Sequence, residues 1–245
     1  MCADKVREIV VSDGDKGGVG KSMTSKVVAE ARLSQGKKIA IIEGDDSHPD
    51  LALQYDGDPD VMIGVLPLAE SGDANRAVSK LGEWLEEHLP DTVIVNLPAG
   101  AAKTLSAHAD LLRMVADSLE YQITGLYSLG KGDTPTAGLV KSIASGLFSQ
   151  VDPARQVVIY PAFQGSPHDF SWYSHDARKT FAGREIIMPA LDNRDVVKKL
   201  LSTRGRLSEI ARAGAPGWMI VDKLNLGRWL KAAMAAIEPV LNIKE

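Results

Sequence analysis

Asp15-Lys16-Gly17-Gly18-Val19-Gly20-Lys21-Ser22 is the segment whose residue types and spacing can do chemistry. Glycines at 17, 18 and 20 let successive backbone N–H groups turn inward around phosphate oxygens, and a helix opening just after them adds the positive end of its dipole. Lys21 can then neutralise β/γ-phosphate charge, and the Ser22 hydroxyl can ligate Mg2+. The apolar run Ile9-Val10-Val11 before the loop and the helix-compatible stretch after it supply the strand–loop–helix order this chemistry requires. A glycine-rich turn with two solvated lysines is the bland alternative, and the order of elements argues against it. The standard phosphate-loop expression has Gly where Asp15 stands. This loop is therefore a variant, and it carries an extra lysine, Lys16.

Two further segments belong beside it. Lys38-Ile39-Ala40-Ile41-Ile42-Glu43 reads as a buried strand, and Glu43-Gly44-Asp45 lies at its carboxyl end, where open α/β sheets hold their ligands. Alone, this acidic cluster would be a solvated turn before Pro49; joined to the loop, it becomes the second half of a site. Thr92-Val93-Ile94-Val95-Asn96-Leu97-Pro98-Ala99-Gly100 is a third strand followed by a Pro-Ala-Gly loop.

The elements that must position these residues alternate along the chain. Strands are predicted at 7–12, 38–43, 92–96, 121–128, 156–161 and 185–188, with helices near 21–35, 74–89, 104–117 and 135–149. That alternation predicts an α/β fold with a doubly wound, mostly parallel sheet. Thr134-Pro135 offers a cap and first-turn proline for the fourth helix, and Asp152-Pro153 punctuates its end. Residues 192–212 and 223–241 should be terminal helices on the sheet, giving one domain over 1–245 with 192–245 packed against its core.

The string Lys-Gly-Gly-Val-Gly-Lys-Ser at 16–22 resembles the deviant Walker A loop of the ParA/MinD superfamily of P-loop ATPases. The resemblance implies ATP and Mg2+ as cofactors, with Asp15, Lys16, Gly17, Gly18, Val19, Gly20, Lys21, Ser22 and Met23 around the nucleotide. It implies that Lys16 reaches across a homodimer interface to the partner's nucleotide. Glu43-Gly44-Asp45 is similar to the family's Asp-x-Asp element, so Asp45 would orient or deprotonate the attacking water and Glu43 would support the Mg2+ shell; a register shift of one would give the first role to Asp46. Residues 92–100 are similar to the Walker B and switch region, with Gly100 placed to sense the γ-phosphate.

Two positions depart from the family pattern. Asn96 stands where an Asp is usual, and a neutral amide can accept from a Mg2+-bound water without supplying charge; binding should survive better than turnover. Val157-Val158-Ile159-Tyr160-Pro161 lacks the Asn that reads adenine in relatives. The size, the Asn-Leu-Pro-Ala loop and the absence of cysteine ligands look most like the ATPases of plasmid partition and conjugative mobilisation of the TraL/MobD/StbB type. That likeness implies a slow, ATP-dependent dimerisation switch working through a DNA-bound adaptor protein. A nucleotide-binding regulator with negligible hydrolysis and a metabolic P-loop phosphotransfer enzyme stay open beside it.

Composition narrows the classes without choosing among them. The chain has 245 residues, 44% of them hydrophobic, enough to bury a sizeable core. Cys2 is the only cysteine, which rules out an intrachain disulfide or a multi-thiolate metal site. The first residues lack a signal-peptide apolar region and no apolar run reaches membrane-spanning length, which predicts a cytoplasmic protein with no integral membrane segment.

Charge is uneven: residues 191–245 hold ten basic and six acidic residues, net +4, against net −8 for the remainder. Arg194, Lys198, Lys199, Arg204, Arg206, Arg212, Lys223, Arg228, Lys231 and Lys244 form a basic set able to touch DNA phosphates without reading sequence, or to solvate two helices. Leu226, Leu230, Met234, Ile237 and Leu241 form a stripe that reads as core contact. Phe163, Phe170, Trp172 and Tyr173 read as a partner surface or as packing beneath a loop, and His168 and His175 beside them have no recognisable metal spacing.

Overall fold

The computed structural model describes residues 7–14, 16–44, 49–66, 74–97 and 106–243. Seven strands form one sheet: β1 (Arg7–Asp13), β2 (Ile39–Glu43), β3 (Val61–Val65), β4 (Thr92–Asn96), β5 (Tyr121–Ser128), β6 (Gln156–Pro161) and β7 (Arg184–Met188). Their order is β3-β2-β4-β1-β5-β6-β7, and every pairing is parallel. β2, β4 and β6 are buried at every residue, as central parallel strands covered on both faces must be. The expected doubly wound sheet is thus present, and it is wholly rather than mostly parallel.

β3 has no counterpart in the sequence expectations. It is a five-residue edge strand with Met62 and Val65 exposed, so it lacks the apolar run that marks its neighbours. Gly64 belongs there because a Cβ would come within 3.0 Å of the Trp84 indole nitrogen and 2.9 Å of Ile42.

Nine α-helices connect the strands among the described residues: α1 (Lys21–Ser34), α2 (Asp50–Gln54), α3 (Ala74–His88), α4 (Ala109–Ser118), α5 (Asp133–Ser145), α6 (Ser171–Ser174), α7 (Arg194–Leu200), α8 (Leu207–Ala213) and α9 (Ile220–Leu241). α1 and α7–α9 cover one face with a core that includes Val28, Leu126, Ile159, Leu226 and Ile237. α3 and α4 cover the other through Val78, Leu81, Leu85 and Leu112. A third cluster, around Tyr127, Phe148, Phe170 and Trp172, fills the space under α5 and the segment after β6.

Several boundaries are corrected. The fourth expected helix begins at Asp133 with Gly132 at its cap, so Thr134 lies inside the first turn rather than capping it. That helix stops at Ser145 and a 3-10 turn runs Leu147–Gln150; Asp152 then caps a second such turn by accepting from the Ala154 N–H. The expected helix over 192–212 is two helices. Asn193 caps α7 through the N–H groups of Asp195 and Val196, and α8 is capped from a distance, its Leu207 and Ser208 N–H groups donating to the Glu30 carboxylate of α1 at 2.6 and 3.1 Å. Between them Gly205 takes a left-handed φ of 102° and donates its N–H to the Gln54 carbonyl.

The apolar stripe of α9 is core, as expected: Leu226, Leu230, Ile237 and Leu241 are buried and Met234 packs against them. At its far end Arg32 of α1 donates to Glu8 of β1, to the Leu241 carbonyl and to Asn242. One buried guanidinium therefore ties the first helix, the first strand and the last helix together.

Candidate functional site

β1 delivers the chain to the glycine-rich loop at the carboxyl edge of the sheet. Gly14 sits where a Cβ would be 2.8 Å from the Ser128 carbonyl of β5, a contact only glycine avoids. Gly18 and Gly20 adopt left-handed φ values of 75° and 95°, which turns the backbone back toward α1. α1 then starts at Lys21 with no side chain capping it, and the first turn of such a helix presents backbone N–H groups that suit an anion.

The two lysines of the loop go different ways. Lys21 is buried, its ammonium 3.0 Å from the Lys16 carbonyl and 3.4 Å from that of Gly14. Lys16 itself is exposed, as are Gly17 and Gly18, while Ser22 and Met23 are half-buried on the first turn of α1.

Beneath α1 lies a row of polar side chains across three strands. Glu43 of β2 pairs in register with Asn96 of β4, and Asn96 with Ser12 of β1. The Asn96 amide nitrogen donates to one Glu43 oxygen at 2.8 Å, and the other Glu43 oxygen accepts the Leu51 N–H at 3.1 Å. Ser25 of α1 donates to the Asn96 carbonyl oxygen at 3.4 Å. The Ser12 hydroxyl, also buried, has no hydrogen-bond partner among the described residues. Lys26, one position along α1, donates to Gln54; burial lowers its pKa, while Asp50 and Glu43 act to raise it.

A cleft of about 850 Å3 opens on this loop. One wall is residues Gly17 to Thr24 with Asp50, Asn96 and Leu97; the facing wall is Pro161 at the end of β6 and Phe163 beyond it, Met188 at the end of β7 with Pro189, Leu191 and Asp192 beyond it, Arg194 and Val197 of α7, and Trp229 of α9. Phe163 stands over the loop, its ring 3.3 Å from where a Gly20 Cβ would be. Trp229 fixes the rim by donating its indole N–H to the Pro189 carbonyl at 2.8 Å.

Gly17, Gly18, Val19, Gly20, Lys21, Ser22, Met23 and Asn96 thus meet at one cleft, with Lys16 beside its mouth. Glu43 does not line it; fully buried, it lies behind Asn96. Asp15 and Asp45, with Asp46 and Gly100, lie outside the described residues. Of the facing wall, the sequence reading had Phe163, Pro161 at the end of the late strand and Met188 at the end of the last one, but not Pro189, Leu191 or Trp229. The wall's signal was available in the rule that ligands sit at the carboxyl ends of parallel strands, which points to the segments after β6 and β7. The aromatic segment divides: Phe163 is 56% exposed at the cleft, Phe170 and Trp172 are core, and Tyr173 packs between His168 and Arg178.

The residues fit a nucleotide carrying a divalent cation. Helix amides with no side-chain cap and a buried lysine suit phosphates; the Ser22 hydroxyl at the cleft, with the Glu43–Asn96 pair behind it, suits a hard cation through oxygen. The Ser12 hydroxyl, without a partner among the described residues, adds a polar atom under the loop. Among the described residues no cluster of His, Cys, Asp and Glu could hold a metal by itself, and no helix is long and apolar enough to cross a membrane.

The basic set is partly spent on carboxylates. Arg206 makes three hydrogen bonds to Asp58 and Asp60, Lys199 pairs with Asp222, and Arg204 lies 3.8 Å from Asp56. Lys244 lies outside the described residues.

No protein-family model matches the chain. Protein MobD of Acidithiobacillus ferrooxidans is 23% identical over 245 residues, a match covering 96% of this chain and 99% of that protein. Among solved structures, a chain of the MinC:MinD cell division protein complex of Aquifex aeolicus is similar with a TM-score of 0.51 and 15% identity, over 92% of this chain and 96% of that one. The septum site-determining protein MinD of Pyrococcus horikoshii, complexed with Mg-ADP, is similar with a TM-score of 0.50 and 14% identity, over 97% of this chain and all of that one. The fold is that of MinD-type P-loop ATPases.

Proposed function

We propose that this chain is a deviant Walker A ATPase of the ParA/MinD superfamily, a slow, ATP-dependent dimerisation switch acting in plasmid partition, conjugative transfer or mobilisation through a DNA-bound adaptor. The observation that carries the reading is the division of labour between the two loop lysines. Lys21 is held inside the loop by backbone carbonyls, where phosphate charge would sit, and Lys16 is exposed. An exposed lysine at that position has a use in a second subunit and none in a self-contained kinase. The full-length similarity to a MobD protein supports the plasmid assignment.

In this reading residues Asp15 to Met23 bind ATP, and the α1 amides and Lys21 hold the phosphates in place. Mg2+ would neutralise phosphate charge beside Ser22, with Glu43 and Asn96 behind it. Asp45 orients the attacking water. The cleft's apolar wall, Pro161, Phe163 and Trp229, receives the base by stacking and shape. Because Asn96 replaces a carboxylate, a regulator with negligible hydrolysis is the second reading.

DNA is reached chiefly through the adaptor. The ion pairs at Arg204, Arg206 and Lys199 reduce the charge available for direct, non-specific contact by the C-terminal basic set. Phosphate release measured with and without plasmid DNA and a candidate DNA-binding adaptor protein tests the choice. A slow basal rate that rises with both, and that Asp45→Ala removes without loss of ATP binding, is expected. Phosphate transfer to a small metabolite instead would overturn the reading.

A further inference from the structure

The Asn96 side chain is best understood through its partner. Glu43 and Asn96 sit at paired positions on adjacent strands, both buried, joined by a hydrogen bond of 2.8 Å in which the amide donates and the carboxylate accepts. The remaining oxygens are also used: the second Glu43 oxygen takes the Leu51 N–H, and the Asn96 oxygen takes the Ser25 hydroxyl of α1. Each of these donors faces an acceptor. An aspartate at 96 would set two carboxylates against each other at that distance, out of water, so that they would repel or one would be forced to take up a proton.

We infer that Glu43 and Asn96 form one carboxylate–carboxamide unit under the phosphate loop in which the negative charge has been placed on β2 and Asn96 is the positioning residue that holds it. This rests on the nucleotide reading given above and deepens it. P-loop sites need one acidic group behind the cation and its waters. Here that group is Glu43, and the amide at 96 is its hydrogen-bond donor rather than a weakened acid. Asn96→Asp alone should therefore not repair anything. It removes the donor and adds a like charge.

The pairing predicts a reciprocal rescue. In Glu43→Gln, an NH2 group replaces one of the two oxygens that accept from different donors, so either the Asn96 amide or the Leu51 N–H faces a donor and one buried donor is orphaned. In Glu43→Gln/Asn96→Asp, the new amide on β2 donates to the new carboxylate on β4, the amide oxygen accepts from Leu51, and the carboxylate still accepts from Ser25. The same pattern returns with the charge moved to β4.

The test is a double-mutant cycle on the full chain, read by thermal melting without nucleotide and by calorimetry of ATP binding with and without Mg2+. Asn96→Asp should lower Tm by about 5 °C or more, Glu43→Gln should lower it as well, and the double variant should melt above both singles. Glu43→Gln should lose about tenfold or more of the Mg2+-linked gain in ATP affinity, and the double variant should regain it. The inference is overturned if the double melts no higher than the worse single, if Glu43→Gln keeps the full Mg2+ gain, or if the double regains Tm without regaining that gain. A wild type that binds no ATP under either condition would instead sink the nucleotide reading, and the melting cycle would still report on the pair.

Discussion

The ammonium of Lys21 lies 3.0 Å from the backbone carbonyl of Lys16, so the second lysine of the loop is held by the main chain of the first. The Lys16 side chain takes no part in that contact and is exposed. Removing it leaves the perch of Lys21 intact, and the two lysines can be separated experimentally.

Lys21→Ala should weaken ATP binding by about a hundredfold or more, because the buried cation facing the phosphates disappears along with its charge-assisted hydrogen bonds. Isothermal calorimetry with Mg-ATP measures this. Affinity equal to wild type would contradict the assignment of the loop.

Phe163→Ala probes the wall that lies opposite the loop. The ring stands over Gly20 and is more than half exposed at the cleft, so its loss should lower nucleotide affinity about two- to tenfold while leaving the melting temperature near that of wild type. A fall in Tm with unchanged affinity would make Phe163 a packing residue.

How much of this was readable from the sequence depends on where the partners of each residue lie. The loop, β1 and α1 were legible because glycines 17, 18 and 20, both lysines and the flanking apolar run are neighbours in sequence. β2, β4 and the stripe of α9 were legible from continuous apolar runs and helical spacing. β3 was not, because an exposed five-residue edge strand with a glycine for Trp84 carries almost no pattern. The break between α7 and α8 was hidden because the carboxylate capping α8 comes from Glu30, 177 residues earlier. The far wall of the cleft likewise joins residues from 161 to 229 to a loop at 17–24, an encounter that only the strand order creates. The Glu43–Asn96 bond belongs to the same class: the departure at Asn96 was visible, and its compensation on the next strand was not.

Arg32→Ala should cost about 3–5 kcal/mol of stability, since it leaves Glu8 charged, buried and without its main partner. The same change frees the Leu241 carbonyl and Asn242, so the end of α9 should exchange its amides faster. Urea denaturation measures the first effect and hydrogen exchange the second; an unchanged midpoint would show that the ion pair contributes nothing.

Acid stability should depend on the contact between α8 and the turn before β3. Hydrogen bonds from Arg206 hold the Asp58 carboxyl below its ordinary range, burial opposing the shift. A carboxylate with a lowered folded-state pKa adds stability that is complete above the ordinary value of about 3.9 and is lost as pH falls through the lowered one. Arg206→Met should therefore melt below wild type at neutral pH, with the gap closing as pH drops below about 4. A gap that stays constant across that range would show that the loss is one of packing.

The proposed switch depends on Lys16 acting in a second subunit. A bound γ-phosphate supplies the interaction free energy that differs between monomer and dimer, and any shift in population requires such a difference. Sedimentation velocity with a slowly hydrolysed ATP analogue, on wild type, Lys16→Ala and Lys21→Ala, tests this directly. Wild type should dimerise with the analogue and not with ADP, Lys16→Ala should bind the analogue yet stay monomeric, and Lys21→Ala should fail at both steps. Equal dimerisation of wild type and Lys16→Ala would contradict the switch.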